Sequence, residues 1–455
     1  MKKTKSFTRQ MLLASTLAVV SWSGAVQAED APGMFRSEFL QGNLGWPEVA
    51  AKARAEGTVN FYYWGGSDII NLWVDQVATP ALAEEGVTLN PVRITSTKDT
   101  VDVVIAELAA GRGEEEGSVD LVWVNGENFF SLKQQNALWG AFADRLPNSV
   151  NFEWDESDPR SLLNLRDFGV ETGLQEMPWS GEQYVCSVNR AHVPVDQTPA
   201  TFAQLKTYLK ANPGKFTYVK PPHYLGNTFV QSVLYAHNPD GTGAAPYQKS
   251  FEELGGAELA RLMEPGIEYL KSLEPLLLGG ANGNPRYPEN SDELDNLFLN
   301  SEVHFDCKFG VFANHNGLIT GTYPELAEEI IFPVGNMIKN KNYLTVPLNS
   351  PHPAAALVAI NYFSSVGAQA SKLQAAGMPV GLDLWRLNDE DAAEIAAAAP
   401  PHYGVTQQEL DDNIAPDTNA SLVDVIEATW LAVIERKDDK PLADIVAEVS
   451  GELNN

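Results

Sequence analysis

Trp64 is followed at once by Gly65 and Gly66, and Asn125 by Gly126 and Glu127. Residues of these types recognise a solute without reacting with it. A glycine lets backbone N–H groups approach a bound molecule with no side chain in the way. An indole or phenol offers broad contact area with one polar handle. A carboxylate in a water-poor cleft needs a cation, a hydroxyl or a protein donor opposite it. Trp179, Tyr184, and Tyr224 just ahead of Gly226 and Asn227 have the same character. The run Gly226-Asn227-Thr228-Phe229 is suited to open a helix whose free N–H groups would meet a carboxylate, phosphate or carbonyl. Each of these also has a plain structural use: Trp64 as core beside a tight turn, Asn125 or Asn128 as a helix cap, and the 226–229 run as an ordinary cap.

No arrangement in the chain identifies a reaction. Gly-x-Ser-x-Gly, Gly-x-x-x-x-Gly-Lys-Ser/Thr, Gly-x-Gly-x-x-Gly and His-Glu-x-x-His are all absent. The seven histidines form no close metal-ligand pair, and His304, Asp306 and His315 are read as a metal-free loop. No metal or cofactor is expected. The 60 acidic residues make carboxylate pairs available at any spacing. An exported hydrolase acting on a carbohydrate or phosphate ester is therefore the alternative to a binding protein.

The elements that must position these residues follow from the hydrophobic pattern. Residues 59–64 suit a strand buried on both faces, then come a glycine turn and a helix carrying Ile69, Leu72, Trp73 and Val77. Residues 87–94 and 119–124 repeat the strand, the former followed by a helix with Val101, Val104, Ile105 and Leu108, the latter by one with Phe129, Leu132 and Leu138. Three strand-helix units predict a mostly parallel sheet covered by helices. In such sheets the ligand crevice lies beyond the carboxyl ends of the strands, which puts Trp64-Gly65-Gly66 and Asn125-Gly126-Glu127 on one rim. Residues 147–180 read as irregular. A second α/β lobe begins near 183, with a strand at 184–188, a helix capped by Thr201, and a strand at 216–219 ended by Pro221-Pro222. Further strands are predicted at 309–313 and 342–347, a long apolar helix at 353–366, and surface helices after Met378.

The 455 residues are 44% hydrophobic, enough to bury two or three lobes and too apolar for a disordered chain. Lys and Arg number 31 against 60 Asp and Glu, with no basic stripe, so the chain repels nucleic acid and anionic membranes. Lys2, Lys3, Lys5 and Arg9, then an apolar run over 11–20, then Val26-Gln27-Ala28, have the form of a secretory signal peptide cleaved after Ala28. Glu29 follows where a lipid-anchored protein would carry cysteine, and no later segment has spanning length, so the expected location is the periplasm. The two cysteines, Cys186 and Cys307, leave one disulfide or two buried thiols open.

Several runs carry a resemblance to a known family: Asp120-Leu-Val-Trp-Val-Asn-Gly-Glu-Asn-Phe129, Leu132-Lys-Gln-Gln-Asn136, Leu146-Pro147-Asn148, Pro213-Gly-Lys-Phe-Thr-Tyr218, Pro221-Pro-His-Tyr-Leu-Gly-Asn-Thr-Phe229 and residues 342–369. The chain resembles the exported solute-binding components of ATP-driven (ABC) importers, in an uncharacterised branch of the extracellular solute-binding family that includes iron, thiamine, polyamine and sugar binders. The resemblance implies a periplasmic-binding-protein-like α/β fold of type II, with two discontinuous α/β lobes and solute held between them. The lobes would be residues 31–182 with 308–366, and 183–307 with 367–455. It also implies a monomer that captures a small polar organic solute and delivers it to an inner-membrane permease. Iron is disfavoured, because ferric binders of the related groups want tyrosines grouped with acids or histidine, the C-terminal half shows no such paired tyrosines, and Tyr62 and Tyr63 alternate across a strand and cannot both face the cleft. Cys186 and Cys307 would lie near the lobe boundary, where a bridge would tie the crossing segments. The binding wall expected is Trp64, Gly65, Gly66, Asn125 and Glu127 on one side, with Trp179, Tyr184, Tyr224 and Asn227 facing them.

Overall fold

Val59, Phe61 and Tyr63 point to one side of strand β1 (Thr58–Trp64) and are fully buried, while the alternate residues are only half-buried. The expectation of a strand buried on both faces thus holds for one face. The computed structural model describes residues 33–331 and 338–453, and the expected signal segment and its cleavage site lie outside them. Strand β1 pairs in parallel with β2 (Thr88–Ile94) on one side and with β3 (Leu121–Val124) on the other. A small hairpin follows, β4 (Arg166–Asp167) and β5 (Val170–Glu171). Then come β6 (Glu176–Asn189), β7 (Phe305–Phe309), β8 (Ala327–Ile330) and β9 (Lys339–Thr345). The main sheet runs β2-β1-β3-β9-β6-β7, with β8 on the other side of β6.

Strand β6 joins the two halves of the molecule. Its first part, to Gln183, pairs antiparallel with β9, and its second part pairs with β7 and β8. Met177 and Trp179 accordingly pack in one apolar core with Phe61 and Leu344, whereas Tyr184, Cys186 and Val188 pack in another with Phe229 and Trp430. The sequence reading starts this strand only at 184, because Pro178, Ser180 and Gly181 are poor strand formers. The chain accommodates them with a register shift between Pro178 and Ser180.

Other differences have similarly local causes. Residues 216–219 are extended but join no ladder: the Phe216 carbonyl accepts from Leu278 N and Lys220 N donates to Pro288. The strand expected at 309–313 lies earlier, at β7, since Gly310 turns the chain at φ 134° and a helix begins at Ala313. The helix after β3 ends at Gln134, so Leu138 falls outside it. The apolar helix from Pro353 stops at Phe363, and Ser365 Oγ accepts from Ala368 N at 3.3 Å to start a second helix, Val366–Ala376. The cap predicted at Thr201 is present, its Oγ1 accepting from Gln204 N at 3.1 Å.

The C-terminal region departs most from expectation. Ala368 through Leu410 contribute to the core of the first half, and only from Leu422 does the chain return to the second core. The helix Ala420–Trp430 is no surface element, since Leu422, Val425, Ile426 and Trp430 are buried. Cys186 and Cys307 are bonded across the β6–β7 ladder.

Candidate functional site

Trp64 closes β1 with its ring edge-on to Trp123, 6.4 Å between centroids, and Trp123 meets Trp179 edge-on at 4.9 Å. The row runs from the strand-end rim into the core. Gly65 and Gly66 are required by this packing. A Cβ on Gly66 would lie 2.3 Å from the Trp64 ring, and one on Gly65 would lie 2.5 Å from Arg93 Cβ. Their lack of side chains therefore serves the strand end itself.

At the end of β3, Asn125 occupies the N-cap position of the helix Gly126–Gln134 without capping it. Its Nδ2 donates instead to Asn342 Oδ1 on β9, at 3.1 Å. Gly126 has φ 58°, and its N–H donates to Asp167 Oδ2 at 2.6 Å. Glu127 stands in the first helical turn, half-buried, and its carboxyl is raised above the ordinary glutamate range by burial, with Asp424 adding to the effect.

The opposing surface comes from two helices of the second half. Tyr224–Ala236 starts at His223, whose Nδ1 accepts from Leu225 N at 3.3 Å. Gly226 presses on the extended 219–221 segment, where a Cβ would meet Val219 O at 2.4 Å. One turn into the helix, Asn227 Nδ2 donates to Glu427 Oε1 and to Pro222 O, while its Oδ1 is buried without a partner. Tyr224 is exposed, its ring against His223 and Phe309. The helix Ala420–Trp430 packs on Gly126–Gln134. It brings Asp424 and Glu427, three residues apart and so on one face. Burial pushes Glu427 up to about 8, opposed by the Asn227 hydrogen bond and reinforced by Asp424 and Glu127. Asp424 is raised too, by burial, with Lys98 pulling it back.

Sequence reasoning missed Asp424 and Glu427. A pattern was available: they are the only charged residues in Ala420–Trp430. A narrow crevice elsewhere in the molecule is lined in part by Asp167, whose Oδ2 accepts from Gly126 N, and by Lys341, Tyr343 and Asp417. Asp167 and Asp417 are held well above the usual carboxylate range by burial, and each is raised further by Glu127.

Two of the expected wall residues sit elsewhere. Trp179 is 0% exposed among Phe61, Trp73 and Phe363, and Tyr184 is 2% exposed beside Phe309. Neither presents a face to the crevice, because β6 threads through both cores. The structure thus brings Glu127 and Asn227 together around Glu427, leaves Trp64, Gly65, Gly66 and Asn125 on the strand-end rim, places Tyr224 one turn before Asn227, and removes Trp179 and Tyr184 to the interior.

No protein-family model matches the chain. It is 32% identical over 388 residues to Protein YnjB of Escherichia coli (strain K12), an alignment covering 85% of this chain and 93% of YnjB. Among solved structures it is similar to the GacH receptor of Streptomyces glaucescens, determined unliganded and with acarbose (TM-score 0.62, 14% identity, 87% of this chain and 98% of that one). It is also similar to an ABC transporter structure from Clostridium perfringens (TM-score 0.56, 15% identity, 83% and 99%) and to a putative spermidine/putrescine ABC transporter from Listeria monocytogenes (TM-score 0.52, 14% identity, 87% and 99%). At these identities the likeness is one of fold: the periplasmic-binding-protein type, two α/β lobes over nearly the whole chain.

Proposed function

The chain belongs to the family of Escherichia coli Protein YnjB, and from that premise we propose that it captures a small polar organic solute in the periplasm and delivers it to the inner-membrane permease of an ABC importer. The observation that carries this reading is the meeting of Glu127 with Asp424 and Glu427. Glu127, from the first turn of the helix after β3, and Asp424 and Glu427, from a helix of the other half, converge there, the two halves being linked through β6. A solute bound between such halves favours their approach, and the closed form is what a permease would recognise.

In this reading the first lobe is the core built on β1, β2, β3 and β9 with residues 353–410. The second lobe is the core built on β7, β8 and residues 202–298 and 422–449. The protein acts as a monomer and performs no chemistry on its solute. Among the described residues no helix is long and apolar enough to cross a membrane. Export depends on the signal-like segment at residues 1–28.

The test is a thermal-shift screen of small solutes followed by mass analysis of the recovered ligand. A solute that raises the unfolding temperature and is recovered unchanged supports capture. A solute converted to product would make the protein an enzyme instead.

A further inference from the structure

We propose that the solute is a small organic cation carrying at least one N–H group, held where Glu127 of the first half meets Asp424 and Glu427 of the second, with the free amide oxygen of Asn227 accepting from it. This rests on the solute-binding reading above and names the chemistry of that site.

Two independent observations point to such a ligand. The first is charge. Glu127, Asp424 and Glu427 stand on two helices that pack together, one from each half, and act on one another, so ionising all three concentrates negative charge there. Lys98, the cation that acts on Asp424, is already held by Asp102 at 2.9 and 3.0 Å. A cation between the carboxylates would turn the repulsion into attraction, whereas an anion would be rejected and a neutral polyol would leave the charges uncompensated.

The second observation is the Asn227 amide. The residue is 8% exposed and its Oδ1 has no hydrogen-bond partner among the described residues. The usual ambiguity of an amide does not apply, because Pro222 O at its other end is a backbone carbonyl that can only accept, which fixes the NH2 group toward it and toward Glu427 Oε1. The oxygen is therefore a buried acceptor lacking a donor, in a side chain already anchored to the carboxylate cluster. Leaving such a group unpaired is costly. An ammonium or guanidinium N–H satisfies it. Tyr224, one turn earlier on the same helix, offers an exposed ring suited to the cation's flank.

A bare metal ion fits less well. Among the described residues no three His, Cys, Asp or Glu side chains gather closely enough to hold one. The carboxylates suit a charge spread over an organic framework.

The experiment uses the mature protein and a small-molecule bacterial extract split on ion-exchange resins into cationic, neutral and anionic fractions. Alkylamines, guanidines and matched alcohols and carboxylates serve as defined probes. Each is scored by thermal shift on wild type, Glu127→Gln, Glu427→Gln and the exposed-surface control Glu84→Gln. The expected result is stabilisation by the cationic fraction, with affinity reduced about tenfold or more in Glu127→Gln and Glu427→Gln and unchanged in Glu84→Gln. A stabilising solute in the neutral or anionic fraction would overturn the cation assignment while leaving solute capture intact. So would a cation bound equally by all four proteins. Stabilisation by no fraction would overturn both.

Discussion

Glu127 and Asp424 stand on two helices that pack together, one from each half of the molecule, and the Glu127 carboxyl is raised by burial, with Asp424 adding to the effect. A protein built only for stability would place opposite charges there. These helices instead bring carboxyl groups of the two halves within range of one another, and several consequences follow from that choice.

Relief of the repulsion without loss of hydrogen bonding should stabilise the ligand-free protein. Glu427→Gln keeps the acceptor for Asn227 Nδ2 and removes a half-buried charge that burial, Asp424 and Glu127 all disfavour. The expected gain is roughly 1 kcal/mol at pH 9, where the wild-type carboxyl is ionised. Urea unfolding of both proteins at that pH measures it, and no change in midpoint would mean the carboxylate is already compensated.

Glu427 and a second buried carboxyl, Glu182 on β6, set a pH dependence. Glu427 and Glu182 each titrate at about 8 in the folded protein against an ordinary value of 4.5, both displaced upward chiefly by burial. The folded state therefore binds protons more tightly than the unfolded one. Their contribution is fully present below about 4.5 and is lost as pH rises through about 8. Thermal unfolding between pH 6 and pH 9 should show a falling midpoint, with a shallower fall in Glu427→Gln. Binding of a cation at pH 7 should also release protons, which calorimetry in buffers of different ionisation enthalpy detects.

Asp120 opens the most distinctive run in the sequence, and its role is structural. Its carboxylate is fully buried and accepts from Asn60 N at 2.8 Å, Ser350 Oγ at 3.0 Å and His352 N at 2.8 Å, with the His352 ring 3.0 Å away. Asp120→Asn should cost about 2–4 kcal/mol, because an NH2 group would face donors. The hydrogen bond to Asp120 raises His352 above 6.5, so that residue's share of stability is present below the ordinary histidine range and is lost as pH rises through its folded value. Denaturation of His352→Gln across this range should lack that component.

These residues also mark what the sequence makes legible. Strands β1 and β3 announce themselves because a run of aromatic and β-branched residues ends at a glycine or an Asn-Gly pair. Glu127 and Asn227 stand out as polar groups bounding apolar segments. The first half of β6 is hidden by Pro178 and Gly181, whose poor strand propensity is overridden by pairing with β9. Trp179 and Tyr184 read as wall residues because aromatic type alone does not say which side of a strand faces a core. Asp424 and Glu427 reach Glu127 only through tertiary packing, and nothing local to Glu127 announces them.

The disulfide supplies another check. Cys186 and Cys307 are 121 positions apart and join neighbouring strands of the second core. Replacing both by serine should destabilise the protein by roughly 2–4 kcal/mol through the freed unfolded chain. Guanidinium unfolding of the double variant tests this, and mass analysis of the unreduced protein should find no alkylatable thiol.

The central claim is that the two halves hold a solute between them, and small-angle X-ray scattering tests it most directly. The protein is measured alone and with the solute that most raises its unfolding temperature. Capture between the lobes predicts a smaller radius of gyration with solute and no change in Glu127→Gln at the same solute concentration. Identical scattering curves for the wild-type protein with and without a bound solute would contradict it.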